Sequence, residues 1–180
     1  MIETTANDSQ SLQATLHNTL HPVRAERPAH PTLLVLWLPR LIGGLMTLLT
    51  LLAAGRRRSL SGPNTVLLFG ALVIDMLLLS PVCHLHYFSL CVMVVMGLVA
   101  AAWESNGGMR LGYGLKLLLA VNLIVYLLPN VPGWLVLRDL GLAMYPVFVL
   151  WLVGTIVLWK RRQAEQAPSE KCPAMTTRAA

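Results

Sequence analysis

Apolar residues fill five long blocks of this chain, separated by short stretches that are polar, basic or proline-containing. Inside a block there is neither strand-like alternation nor a single apolar stripe; nearly every position is hydrophobic. A segment that is apolar all round is a helix in a large core or in a bilayer, where backbone groups must be satisfied within the segment. The blocks cover about residues 33–54, 64–79, 81–103, 111–128 and 140–159. The last, at about 20 residues, has the length needed to cross a ~30 Å hydrocarbon core. The pattern predicts an all-α fold: a polytopic membrane helical bundle of about five transmembrane helices.

Composition sharpens this picture. The chain has 180 residues, 56% hydrophobic and 12% charged, with a mean hydropathy of +0.63. So little charge cannot cover the apolar surface of a soluble domain this size. The formal net charge of +6 does not indicate nucleic-acid binding, because the cations sit in short clusters beside apolar blocks, as topology signals do. Cys83, Cys91 and Cys172 are scattered and odd in number, with no disulfide framework and no metal-type spacing.

Those cations orient the spans. Arg56, Arg57 and Arg58 follow the first, Arg110 and Lys116 lie between the third and fourth, and Lys160, Arg161 and Arg162 follow the fifth. With five spans all three groups share one face, which the positive-inside rule makes cytoplasmic. The N-terminus is then outside and the C-terminus inside, in a multi-pass protein expected at the plasma membrane. Residues 1–32 form an outer polar segment, 33–162 the transmembrane domain and 163–180 a disordered cytoplasmic tail. Residues 1–30 lack the basic start and apolar run of a secretory signal. Asn7-Asp8-Ser9 fits the glycosylation sequon, a weak three-residue match. Trp103, Trp134, Tyr145 and Trp159 fall near block edges, as interfacial aromatics do. Gly43-Gly44 allow a neighbouring helix to approach, and Arg40 can snorkel to the nearer surface.

The stretch Ser80-Pro81-Val82-Cys83-His84-Leu85-His86-Tyr87-Phe88 interrupts the second and third blocks with a helix break, two imidazoles and a phenol. Ser80 suits an N-cap and Pro81 the first helical position, so the third span is expected to begin at Pro81 with its bare N–H groups facing outward, a ready anion site. On that helix His84 and His86 would lie about 200° apart, one toward a site and the other toward headgroups or a neighbouring span. Interfacial packing of the histidines on a tight outer turn is the plainer reading. A metal or haem site would need further ligands, and no span offers another histidine.

Asp75 is the carboxylate clearly inside a block. A charge there is costly and tends to mark a site; the structural alternative is an acid protonated or hydrogen-bonded across helices, for example to Asn122. Asn122 itself reads as helix–helix glue, and Arg138-Asp139 as a solvated local pair.

The break resembles the Ser-Pro-x-Ser-x-x-His-His type motif near the C-terminal part of family-87 glycosyltransferases, polytopic enzymes of the GT-C class. His86 matches the first histidine; Tyr87 stands for the second and Cys83 for the serine. The segment Ser9-Gln10-Ser11-Leu12 is similar to the outer-loop Asn-Gln-Ser-Leu segment upstream of that motif, with Ser9 for the asparagine and Asn18 near a position often arginine. The resemblance covers the whole chain but only the C-terminal part of the family's length. It implies a membrane hexosyltransferase homologue whose partner is a polyprenyl-phosphate sugar donor, commonly of mannose type, on the outer side of the membrane. It implies lipid-phosphate contacts from His86, His84, Ser80 and Tyr87, with Gln10 and Ser11 in the outer-loop motif, and no cofactor or metal. The family's catalytic aspartate lies in a first outer loop that has no counterpart here. Glu3 and Asp8 are on the right side but sit in no matching loop. The catalytic residue is therefore unknown, and the resemblance implies a shortened form whose N-terminal membrane portion, or a partner subunit, completes it.

The competing class is a non-enzymatic membrane scaffold or a proton-linked transporter subunit, with Asp75 as the proton carrier.

Overall fold

The computed structural model describes residues 9–55, 60, 62–105, 112–128, 131 and 133–166, and every regular element among them is helical. Glu3, Asn7, Asp8, Arg56, Arg57, Arg58, Arg110 and the tail from 167 onward lie outside the described residues. In chain order the helices are α1 (Leu12–Leu20), α2 (Leu33–Ala54), α3 (Gly62–Leu79), α4 (Val92–Ser105), α5 (Tyr113–Leu127), α6 (Leu135–Asp139) and α7 (Met144–Gln166). A 3₁₀ segment, Leu85–Cys91, leads straight into α4.

Among the described residues, four helices are long and apolar enough to cross a membrane: Leu33–Ala54, Gly62–Leu79, Leu85–Glu104 and Met144–Glu165. The block expected as the fourth of five spans folds as α5, which has only 15 residues. At ~1.5 Å per residue it falls short of a ~30 Å core.

Local chemistry sets the helix ends. The Thr32 hydroxyl accepts from the Val35 amide to open α2, and Gly55 (φ 72°) closes it by donating its N–H to the Leu51 carbonyl. At the other end of the chain, α7 runs through Lys160, Arg161 and Arg162 and four residues beyond, into the stretch 163–166 expected to be tail. The reason lies in its side chains. Arg161 donates to the Asn64 Oδ1 at 2.7 Å and to Glu104 Oε2 at 2.6 Å, while Asn64 donates to Glu165 Oε1 at 2.9 Å. These contacts tie the last turns of α7 to α3 and α4.

The core centres on α3, which packs against α4, α7 and α2. Two glycines permit the closest approach. A Cβ on Gly70 would stand 2.7 Å from the Val94 backbone nitrogen, and one on Gly97 would stand 2.8 Å from Leu67. Of the Gly43-Gly44 pair, Gly43 receives the Leu79 side chain of α3, whereas Gly44 has no neighbour within 4 Å. In contrast to these helices, α5 buries no residue and scarcely touches α4. The bundle thus has a histidine end, carrying the break and α1, and a basic end, carrying Lys160 to Arg162.

Candidate functional site

The break does not fold as expected. Ser80 closes α3, its amide donating to the Met76 carbonyl at 3.0 Å, and its hydroxyl donates to the Val82 carbonyl at 2.7 Å. Ser80 is therefore no N-cap and Pro81 no first helical residue. The chain stays non-helical until His84, whose extended backbone (φ −82°, ψ 153°) precedes the 3₁₀ segment. With its hydroxyl already spent on Val82, Ser80 stiffens the turn.

This geometry also overturns the expected divergence of the histidines. Because His84 lies outside the helix, its ring stacks on that of His86, with centroids 5.6 Å apart and planes 11° from parallel. Tyr87 joins them, its ring centroid 4.3 Å from His86 and 5.9 Å from His84. All three side chains are exposed. The result is an exposed cluster of two imidazoles and one phenol, groups able to donate hydrogen bonds to an oxyanion.

A polar wedge braces the cluster from behind. The Gln10 amide donates to the Cys83 carbonyl at 2.7 Å, and the Cys83 amide donates to the Ser9 hydroxyl at 3.0 Å. The two sequence segments singled out for their resemblance are therefore in direct backbone contact. Ser11 caps α1 by accepting from the Ala14 amide at 3.2 Å. Gln10 also donates to the Arg138 carbonyl at 2.6 Å, and Asn18 to the Asp139 carbonyl at 2.8 Å. Thr15 packs against Gly141, whose φ of +67° and lack of a Cβ make room for it. Asp139 is buried and faces Arg27 at 3.6 Å, so the expected solvated pair with Arg138 is not its setting.

The burial of α1 is inverted. Ser11, Ala14, Thr15 and Asn18 form its inward face, while Leu12, Leu16 and Leu20 remain half-buried or exposed. Several buried polar atoms in this wedge have no hydrogen-bond partner: Gln10 Oε1, Thr15 Oγ1, Asn18 Oδ1 and both ring nitrogens of His17. Burial holds the His17 imidazole below its ordinary value of 6.5, helped by nearby His21 and Arg27. The Pro28 carbonyl, close by without completing a hydrogen bond to the ring, pulls the other way. Burial pushes the Cys83 thiol up to about 12, which leaves it protonated and unsuited to nucleophilic chemistry.

Asp75 sits apart from this end, inside the bundle and 3% exposed. Neither of its oxygens has a hydrogen-bond partner. Thr47 and Thr50 of α2 lie close enough to influence it, and the Thr50 hydroxyl accepts from Trp151 Nε1 at 3.0 Å. Asn122 is not its partner: it donates to the Pro146 carbonyl at 2.8 Å and joins α5 to α7. No group of three His, Cys, Asp or Glu side chains gathers among the described residues.

The structure thus brings His84, His86, Tyr87, Ser80, Gln10 and Ser11 to one end and leaves Asp75 elsewhere. Asn18, singled out in the sequence only through the resemblance, joins that end by its bond to the Asp139 carbonyl, and His17 and Arg27 join it unannounced by the sequence. No family model, curated protein or solved structure matches the chain, so its own residues and their geometry carry the functional reading.

Proposed function

We propose that this protein binds a polyprenyl-phosphate sugar at the histidine end, as the C-terminal portion of a family-87-type glycosyltransferase would, and that it needs a further membrane portion or partner subunit for turnover. The supporting observation is the convergence of the two resembling segments. Ser9 and Gln10 pair with the backbone of Cys83, immediately before the exposed cluster of His84, His86 and Tyr87. Imidazole and phenol donors suit the departing phosphate. The carboxylate of Asp139 is engaged with Arg27 and is not offered as the base that the acceptor hydroxyl requires.

In this reading α5 is the fourth of five spans, accommodated by local thinning of the bilayer, the histidine end faces outward at the plasma membrane, and the basic end faces the cytosol. Photo-crosslinking of the full chain in nanodiscs with a benzophenone-bearing polyprenyl phosphate tests it. Adducts should concentrate in residues 80–88 and 9–18 and be competed by farnesyl phosphate but not by farnesol. Adducts scattered over the lipid-facing helices, or equal competition by both, would refute the proposal.

A second reading has its own observation: a buried carboxylate with neither oxygen hydrogen-bonded, near Thr47 and Thr50. Such an acid suits a proton carrier. Proton flux into proteoliposomes that disappears in Asp75→Asn, with lipid-phosphate binding unchanged, would favour it; equal flux in both would remove it.

A further inference from the structure

The loose seating of α5 leaves a lateral groove between α4 and α5, floored by α7. It holds two clefts in series. One of about 380 Å³ lies toward the histidine end and includes Val95, Asn122 and Val147. The other, about 470 Å³, lies toward the basic end and includes Leu98, Leu118 and Val153, with Lys160 and Arg161 at its mouth. From Val147 to Lys160 the groove follows α7 for 13 residues, about 20 Å at ~1.5 Å per residue.

Water does not fill such a groove in hydrocarbon, and an empty one forfeits the dispersion contacts of its walls. An acyl chain supplies them. The charge at the mouth then selects the headgroup. Arg161 is committed to Glu104 and Asn64, whereas Lys160 is exposed and makes no ion pair among the described residues.

We infer that the α4–α5 groove is a binding site for an anionic phospholipid, with an acyl chain between α4 and α5 and the phosphate at Lys160. The headgroup contact lies at the opposite end of the bundle from His84 and His86, so this inference stands or falls separately from the phosphate-sugar reading. Gly114 and Ala102 both line the wider cleft. A Cβ at Gly114 meets nothing within 4 Å, so a larger side chain there occupies space without displacing neighbours.

The test is native mass spectrometry of the full chain released from mixed micelles containing equal phosphatidylglycerol and phosphatidylcholine. The parent protein should retain one phosphatidylglycerol in preference to phosphatidylcholine. Gly114→Leu and Ala102→Phe should lose the retained lipid while melting at the parent's temperature. Lys160→Gln should keep an acyl lipid but lower the preference roughly five-fold, the ratio one surface lysine supplies. If the groove-filling variants fail to fold, the change in preference in Lys160→Gln decides alone. Equal retention of the two lipids by the parent, or undiminished retention in both folded groove-filling variants, overturns the inference.

Discussion

The two ends of the bundle hold their loops by different balances of bonds. At the histidine end, beside the buried Arg27–Asp139 pair, uncharged side chains and backbone amides stitch α1 to the break and to α6: Gln10 to Cys83 and Arg138, Ser9 to Cys83, Asn18 to Asp139. At the basic end, charged side chains reach across helices at or near the surface, Arg161 to Glu104 and Arg162 to the Leu52 carbonyl. Buried neutral bonds are modest in net worth but costly to leave half-made, while exposed ion pairs contribute little and weaken with salt. Substitutions should therefore cost more at the histidine end, and salt should matter more at the basic end.

The hardest blow to this contrast is Gly141→Val. A β-branched residue at φ +67° is strained, and its Cβ collides with Thr15. The backbone strain alone costs about 1–3 kcal/mol. We expect α1 to undock, read as fast proteolysis between residues 20 and 32 with the transmembrane helices intact by circular dichroism. Asn18→Ala should cost about 1–3 kcal/mol, because a buried hydrogen bond to the Asp139 carbonyl is lost; chemical denaturation in detergent measures it.

Acid should loosen the same end. His17 is held below its ordinary 6.5 in the docked state, so below about pH 6.5 the undocked chain takes up protons that the docked chain refuses. Docking is then complete above that pH and is progressively lost as pH falls through 6.5 and below. Amide hydrogen exchange of α1 against pH checks this, and His17→Gln should flatten the dependence. The smallest effect belongs to Glu104→Gln at the basic end. Glu104 is half-exposed where it pairs with Arg161, so the loss should be below about 1 kcal/mol and should shrink in high salt, while the Asn18→Ala cost should not.

What the sequence disclosed follows the same division. Spans packed mainly by apolar residues were legible in it: α2 matches the expected 33–54, and α3 starts two residues before the expected 64. The third span starts at Leu85 instead of Pro81 because Ser80 bonds within its own turn and His84 stays extended. That one displacement turned two diverging histidines into a stacked pair. The packing of α1 was illegible, since its buried face is the polar one and the partner of its Asn18 lies 121 residues away. The setting of Asp75 was half legible: its burial followed from its position, but its neighbours are Thr47 and Thr50, while Asn122 bonds elsewhere.

The stacked imidazoles and their phenol are proposed to receive a lipid phosphate. Equilibrium binding of farnesyl phosphate to the full chain in nanodiscs tests it most directly, with the parent compared against His84→Ala/His86→Ala. Loss of two charge-assisted donors should weaken saturable binding at least roughly ten-fold, with the melting temperature unchanged because both rings are exposed. Binding of equal affinity in the double variant, or none that saturates in the parent, would contradict it.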